Sequence, residues 1–237
     1  MRIPNDHWLI NKPIAHRGLW GGDIVENSLT AYKNAVEKGF AIEIDLWASS
    51  DGTLFSFHDD NLLRMTGVDR KIYDCDDEFL HSLTLLQSDQ KIPTFRDILF
   101  TVNGKVPLLI EIKDQPDKFI VERVLDELDE YQGEFAIQSF NPKYVQKVKK
   151  VAPHVIRGVL GTNYVEGVSP FIRFVLKHMP LNRKVKPDFI SYNKLGLPLK
   201  KRKTKDKVVL AWTIQSKEEL EKYGEHCDNY IFEFFIP

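Results

Sequence analysis

The sequence predicts a (β/α)8 TIM barrel, and three observations carry that expectation. Eight short runs rich in β-branched and aliphatic residues recur along the chain, several are followed by a stretch with helical spacing, and neither GxGxxG nor GxxxxGK[ST] occurs to suggest an open nucleotide-binding sheet. The length of 237 residues suits a closed barrel, a class that commonly runs to about 250 residues as one unit. A single domain over residues 1–237 is therefore expected.

The first run is PIAH at 13–16, and AIEIDLW follows at 41–47. Between them, SLTAYKNAVEKG has the apolar spacing of a helix, with Ser28 as its N-cap. Residues 60–105 hold no clear barrel strand and are expected to form a small insertion, in which TFRDILFTV reads as a short helix capped by Thr94. PLLIEIK at 107–113 resumes the barrel and leads into the helical DKFIVERVLDELDEY. FAIQSF at 135–140 precedes a helix begun by Asn141 and Pro142, and VIRGVL (155–160), FISYN (189–193) and VVLAWTI (208–214) follow. SKEELEKYG, capped by Ser216, then leads to NYIFEF at 229–234. With no helix after that last strand, the closing helix is expected to be missing or replaced by the N-terminal arm.

Composition excludes several function classes. Thirty-three Lys and Arg against 34 Asp and Glu give no overall electrostatic reason to bind nucleic acid. Cys75 and Cys227 lie far apart without zinc-ligand spacing, so buried reduced thiols are expected. The segment MRIPNDHWLINKP lacks the apolar stretch of a signal peptide, and no run approaches the roughly 20 apolar residues of a membrane span. Cytoplasmic residence without stable membrane insertion is the expectation. KKRKTKDK at 200–207 could hold phosphate, but without interleaved aromatics a solvated connector is the plainer reading.

Chemistry gathers around Asp51-Gly52, the preferred pair for a two-residue type I′ hairpin. Such a loop sets Ser50 against Thr53 and Asp45 opposite His58, about 5 Å apart at Cβ. Strand alternation places Glu43 beside Asp45 on one face, with Ile42, Ile44 and Leu46 on the other. Glu111 and Lys113 share a face of the next barrel strand. Three oxygen ligands near a core favour a hard divalent cation, Mg²⁺ or Ca²⁺, over zinc, and leave His58 free to carry a proton. At the end of the first strand, His16 can exchange a proton, Arg17 offers a planar fork to phosphate, and Gly18 lets the backbone turn close to a ligand. Taken singly, each has a blander reading. Glu43 and Asp45 could be a salt-bridged pair, Lys113 a rim lysine and His16 a structural group.

At these residues the chain resembles the glycerophosphodiester phosphodiesterase family. The resemblance runs through IAHRG (14–18), ENSLTAY (26–32), EIDLWASSDGTLFSFHDDNLLRMTG (43–67), IPTF (92–95), LIEIK (109–113), QSF (138–140) and AWT (211–213). It implies a metal-dependent TIM-barrel phosphodiesterase with Glu43, Asp45 and Glu111 as metal carboxylates and His16 and His58 as the general acid/base pair. It further implies that Arg17 and Lys113 grip phosphate oxygens and that Trp212 lines the glycerol side of the pocket. Barrel-core packing is the alternative for Trp212. The family commonly ends its last strand with an aspartate before a proline, whereas this chain reads NYIFEFFIP, with Glu233 nearby.

The expected activity is hydrolysis of small-molecule glycerophosphodiesters to glycerol 3-phosphate and an alcohol. Water or the neighbouring glycerol hydroxyl would attack, the latter through a cyclic phosphate. Two alternatives stand beside it: action on another lipid- or glycan-linked phosphodiester, and a non-catalytic anion-binding barrel. The sequence gives no handle on oligomeric state.

Overall fold

A computed structural model describes residues 3–86, 88–164 and 167–237. In chain order the elements begin with α1 (Trp8–Asn11), β1 (Ile14–Ala15), α2 (Leu29–Lys38), β2 (Ala41–Ala48) and β3 (Leu54–Ser56). Next come α3 (Leu63–Thr66), α4 (Asp77–Ser82), α5 (Phe95–Val102), β4 (Leu108–Ile112), α6 (Ile120–Leu128), β5 (Phe135–Ser139) and α7 (Pro142–Val151). The chain continues with β6 (Arg157–Gly161), α8 (Pro170–His178), α9 (Asn182–Val185), β7 (Phe189–Asn193), α10 (Lys201–Thr204), β8 (Val208–Ile214), α11 (Lys217–Tyr223) and β9 (Asn229–Phe232). Eight of these strands alternate with helices, and the fold is the expected (β/α)8 barrel, with β3 as an added antiparallel strand.

The chain divides into two compact units, one made of Met1–His16 with Phe135–Pro237, the other of Arg17–Glu134. In the first, β5 to β9 pair in succession, all parallel, and β1 pairs with β9. The short α1 is tied to the last strand, because the Asn229 side-chain amide donates to the carbonyls of Leu9 and Lys12. In the second unit β2 runs parallel to β4 and antiparallel to β3. All eight residues of β2 are buried. An apolar strand of this kind, covered on both faces, is what a parallel barrel requires.

Local signals place the helices as expected. Ser28 caps α2 by accepting the Ala31 N–H, and Gly39 closes it at φ +74°, a conformation that favours glycine. Thr94 and Asp97 form a reciprocal capping box on α5. In the second unit, Trp47, Phe55, Phe57, Leu62, Ile72, Leu80, Leu85 and Ile92 form one buried apolar cluster. Residues 60–105 thus pack against Trp47 of β2 and Phe55 of β3.

The hairpin differs from its expected register by one residue. Leu46 pairs with Ser56 and Ala48 with Leu54, so Phe57, not His58, stands opposite Asp45, and its N–H donates to the Asp45 carbonyl. The reason lies in the loop. Ser49 and Thr53 close it, the Gly52 N–H bonds the Ser49 carbonyl, and only Gly52, at φ +93°, is left-handed. That is a three-residue loop, a turn followed by one left-handed glycine, where type I′ would need two positive φ angles. A Cβ on Gly52 would lie 2.5 Å from the Arg123 guanidinium.

Candidate active site

In the Arg17–Glu134 unit, parallel pairing sets Asp45 of β2 directly beside Glu111 of β4, and Glu43 lies two residues back on the same face of β2. All three carboxylates are buried, and one oxygen from each lies within 4.8 Å of the others. Lys113 follows β4 and places its ammonium 2.8 Å from Asp45 Oδ1 and 3.0 Å from Glu111 Oε1. The rim-lysine reading therefore fails, because Lys113 is buried among the acids rather than reaching to water.

Arg17 enters this cluster through both backbone and side chain. Its N–H donates to Glu43 Oε2 at 3.1 Å, Nη1 donates to Glu26 Oε1 at 2.8 Å, and Nε lies 3.7 Å from Asp45 Oδ2. The backbone at Arg17 is left-handed, at φ +58°, a strained state for a residue with a side chain. Gly18 follows at φ +83°, and a Cβ there would sit 2.8 Å from the Ala31 Cβ. Its missing side chain therefore makes room for α2.

Burial and charge act in opposite directions at this cluster. Burial, with Asp45 and Glu111 as neighbours, pushes the Glu43 carboxyl well above its ordinary value. Burial would do the same to Asp45, but Lys113, His58 and Arg17 outweigh it and hold that carboxyl below the usual range. Burial opposes charge on Lys113, yet Asp45 and Glu111 keep its ammonium firmly protonated. One carboxylate of the three thus lacks enough positive charge.

His58 follows the β3 strand, and its Nδ1 is 2.6 Å from Asp59 Oδ1. Arg64 ties this pair to the rest of the site, since Nε donates to Asp59 Oδ2 and Nη2 to Glu26 Oε1. Glu26 is buried and is shared by two guanidiniums. Asn27 donates to Asp45 Oδ2 and accepts the Tyr32 hydroxyl. Sequence reasoning missed Glu26, Asn27, Asp59 and Arg64 as site residues. The only available signal was their place inside ENSLTAY and the HDDNLLRM segment.

In the other unit His16 follows β1, with Nδ1 2.6 Å from Glu233 Oε2. Gln215 holds the second oxygen of Glu233 at 2.8 Å. Trp212 on β8 is half-buried and meets Phe140 edge to face, with ring centroids 5.7 Å apart. Its buried indole N–H has no acceptor among the described residues. A packed core tryptophan ordinarily finds one.

The family model for glycerophosphoryl diester phosphodiesterases matches residues 16–226. A glycerophosphodiester phosphodiesterase from Caldanaerobacter subterraneus is 30% identical over 223 residues, which cover 88% of this chain and 88% of that protein. Among solved structures, an Oleispira antarctica phosphodiesterase in complex with the product sn-glycerol-3-phosphate aligns at a TM-score of 0.75 and 22% identity, covering 94% of this chain and 92% of that one. A glycerophosphodiester phosphodiesterase from Thermotoga maritima aligns at 0.71 and 24% identity, covering 92% of each. These two likenesses concern the fold.

Proposed function

The chain belongs to the glycerophosphoryl diester phosphodiesterase family, and from that membership we propose that it hydrolyses glycerophosphodiesters to glycerol 3-phosphate and an alcohol, using Mg²⁺ or Ca²⁺. The observation that carries this reading is the buried triad of Glu43, Asp45 and Glu111, three hard oxygen donors within 4.8 Å of one another. The residues fit a divalent cation because the three carboxylates face only the Lys113 ammonium and, 3.7 Å from Asp45, the Arg17 guanidinium that Glu26 also holds, and the Glu43 carboxyl is left short of positive charge. When bound there, the ion supplies Lewis-acid polarisation of a phosphate oxygen.

The chain's own residues do the rest. Arg17 and Lys113, both kept charged by buried acids, offer positive charge to the non-bridging oxygens of the diester. We assign proton transfer to Nε2 of His16 and of His58, because each ring has Nδ1 engaged by a carboxylate that fixes its orientation. One ring takes the proton of the attacking hydroxyl and the other gives a proton to the departing alkoxide, each contributing about 10²- to 10⁴-fold. The attacking hydroxyl is water or the adjacent hydroxyl of the glycerol. Trp212 lines the glycerol side of the pocket.

Turnover of glycerophosphocholine, glycerophosphoethanolamine and bis(4-nitrophenyl) phosphate tests the reading. Release of glycerol 3-phosphate from the first two is expected, lost on chelation and restored by Mg²⁺ or Ca²⁺. His58→Ala and His16→Ala should each lower kcat by about 10²-fold or more. Full activity in EDTA, or in either variant, would refute the assignment.

A further inference from the structure

Helix α8 has the sequence of a buried element and the exposure of a surface one. Capped by Ser169 and begun by Pro170, its PFIRFVLKH is rich in apolar residues, yet none of its nine residues is buried. Phe171 is 75% exposed, Phe174 52% and Ile172 46%. Phe171, Phe174 and His178 recur at i, i+3 and i+7, one stripe of the helix, with the last two rings 4.7 Å apart. The half-buried Val175 and Leu176 face the protein, where the Leu176 carbonyl accepts the Thr162 N–H and so anchors the helix just past the end of β6.

Charge is gathered on the same surface. Residues 171–207 carry twelve Lys and Arg against two acids, which leaves the rest of this nearly neutral chain with 21 against 32. The basic run at 200–207 is not a detached connector, because Lys203 Nζ donates to the Lys177 carbonyl of α8. Slight desolvation and the charges of Lys203, Lys177, Lys200 and Arg202 hold the His178 imidazole below its ordinary value, so these cations face α8 together. Among the described residues none of Arg173, Lys177, Lys200, Lys201, Arg202 and Lys203 has an acidic partner. Exposed aromatics beside unneutralised cations are the signature of a helix that lies in a lipid interface.

We propose that α8 and segment 200–207 form a peripheral docking site for an anionic lipid surface. Phe171, Ile172 and Phe174 enter the boundary between headgroups and acyl chains, and the surrounding lysines and arginines meet lipid phosphates. Charge decides against a second copy of this chain, since pairing this face with itself would oppose two strongly cationic surfaces. The docking inserts a helix face and spans nothing, consistent with the lack of any described helix long and apolar enough to cross a membrane.

Cosedimentation of the full chain with phosphatidylcholine vesicles, with and without phosphatidylglycerol, is the test. Binding at least about tenfold stronger to the anionic vesicles, weakened by salt, is expected. The double variant Phe171→Ser/Phe174→Ser and the quadruple variant Lys200→Gln/Lys201→Gln/Arg202→Gln/Lys203→Gln should each lose about tenfold in binding with unchanged melting temperature. Equal binding to neutral vesicles, wild-type binding by either correctly folded variant, or a dimer abolished by the phenylalanine variant would overturn the proposal. So would retention on RNA under salt conditions where vesicles are not bound. Vesicle binding is read without substrate, so its failure is separate from failure of the hydrolase assignment.

Discussion

The two compact units hold charge in opposite ways. In Arg17–Glu134, acids and bases are buried together: Asp45 and Lys113 hold each other charged against burial, while the Glu43 carboxyl is pushed up for want of positive charge. In the unit of residues 1–16 and 135–237, the charge of segment 171–207 is mostly exposed and nearly all of one sign, while the site residue His16 is paired with a single carboxylate. Buried opposite charges constrain one another, and removing one strands its partners. Exposed like charges are independent, so removing one relieves repulsion. The first arrangement serves chemistry and the second suits contact with an extended anionic surface.

The largest effect should come from breaking the buried set. Asp45→Asn withdraws the carboxylate that Lys113, Arg17 and Asn27 share. Turnover is expected to fall by about 10³-fold or more, and stability by about 1–3 kcal/mol, because the buried Lys113 ammonium keeps only Glu111 as an ion-pair partner and Arg17 loses one of its acids. Lys200→Gln in the other unit should leave stability within about 0.5 kcal/mol of the parent. Steady-state kinetics and urea unfolding of the two variants, side by side, test the contrast. Equal unfolding midpoints would show that the buried network is no more coupled than the surface.

A smaller effect separates positioning from binding within the first unit. Glu233→Gln removes the carboxylate that holds His16 but not the imidazole, so kcat should drop about 10- to 100-fold with KM little changed. Trp212→Phe removes only the unpaired indole N–H and some contact area, and should raise KM more than it lowers kcat. If both variants shift the same constant, the division of labour proposed for these two residues is wrong.

How much of this was legible in the sequence follows from how each feature is encoded. Glu43, Asp45, Glu111 and Lys113 lie at alternate positions on apolar strands, and period-two alternation states which face a side chain takes. Ser28, Thr94 and Asn141 announce helix starts because a capping oxygen serves its own neighbours. The register between Asp45 and His58 was missed by one residue, since Asp-Gly suits both a two- and a three-residue loop, and the choice here rests on tertiary contacts. The Ser50 N–H bonds the Cys75 carbonyl, and Asp51 accepts the Asp77 N–H. Glu26 and Glu233 were illegible as site residues because they sit in irregular segments where no period predicts direction, and Arg64 because it sits on a single-turn helix too short to show one; Glu26 and Arg64 meet across 38 residues and Glu233 meets His16 across 217. Helix α8 escaped notice for another reason: its apolar residues face outward, so it breaks the rule by which helices are recognised.

The smallest effect tests the comparison at its weakest point, a half-buried acid of the Arg17–Glu134 unit that is poorly matched. Glu127 on α6 has one carboxylate oxygen 3.8 Å from Arg96 Nε, while the other is buried without a hydrogen-bond partner among the described residues. Burial pushes its carboxyl up to about 7, against the pull of Arg96. The folded chain then binds this proton more tightly than the unfolded chain, whose glutamates titrate near 4.3. The resulting stability is fully present below about pH 4, fades as pH rises, and is gone above about pH 7. Glu127→Gln removes the titration, so the parent should lose about 1–2 kcal/mol more than the variant between pH 4 and pH 8, a figure reduced for partial solvent access. Urea unfolding at the two pH values measures that difference, in which every other titrating group cancels. Parallel losses in parent and variant would mean that Glu127 is solvated after all, and the rule that this unit keeps its buried charges matched would then hold outside the catalytic cluster as well.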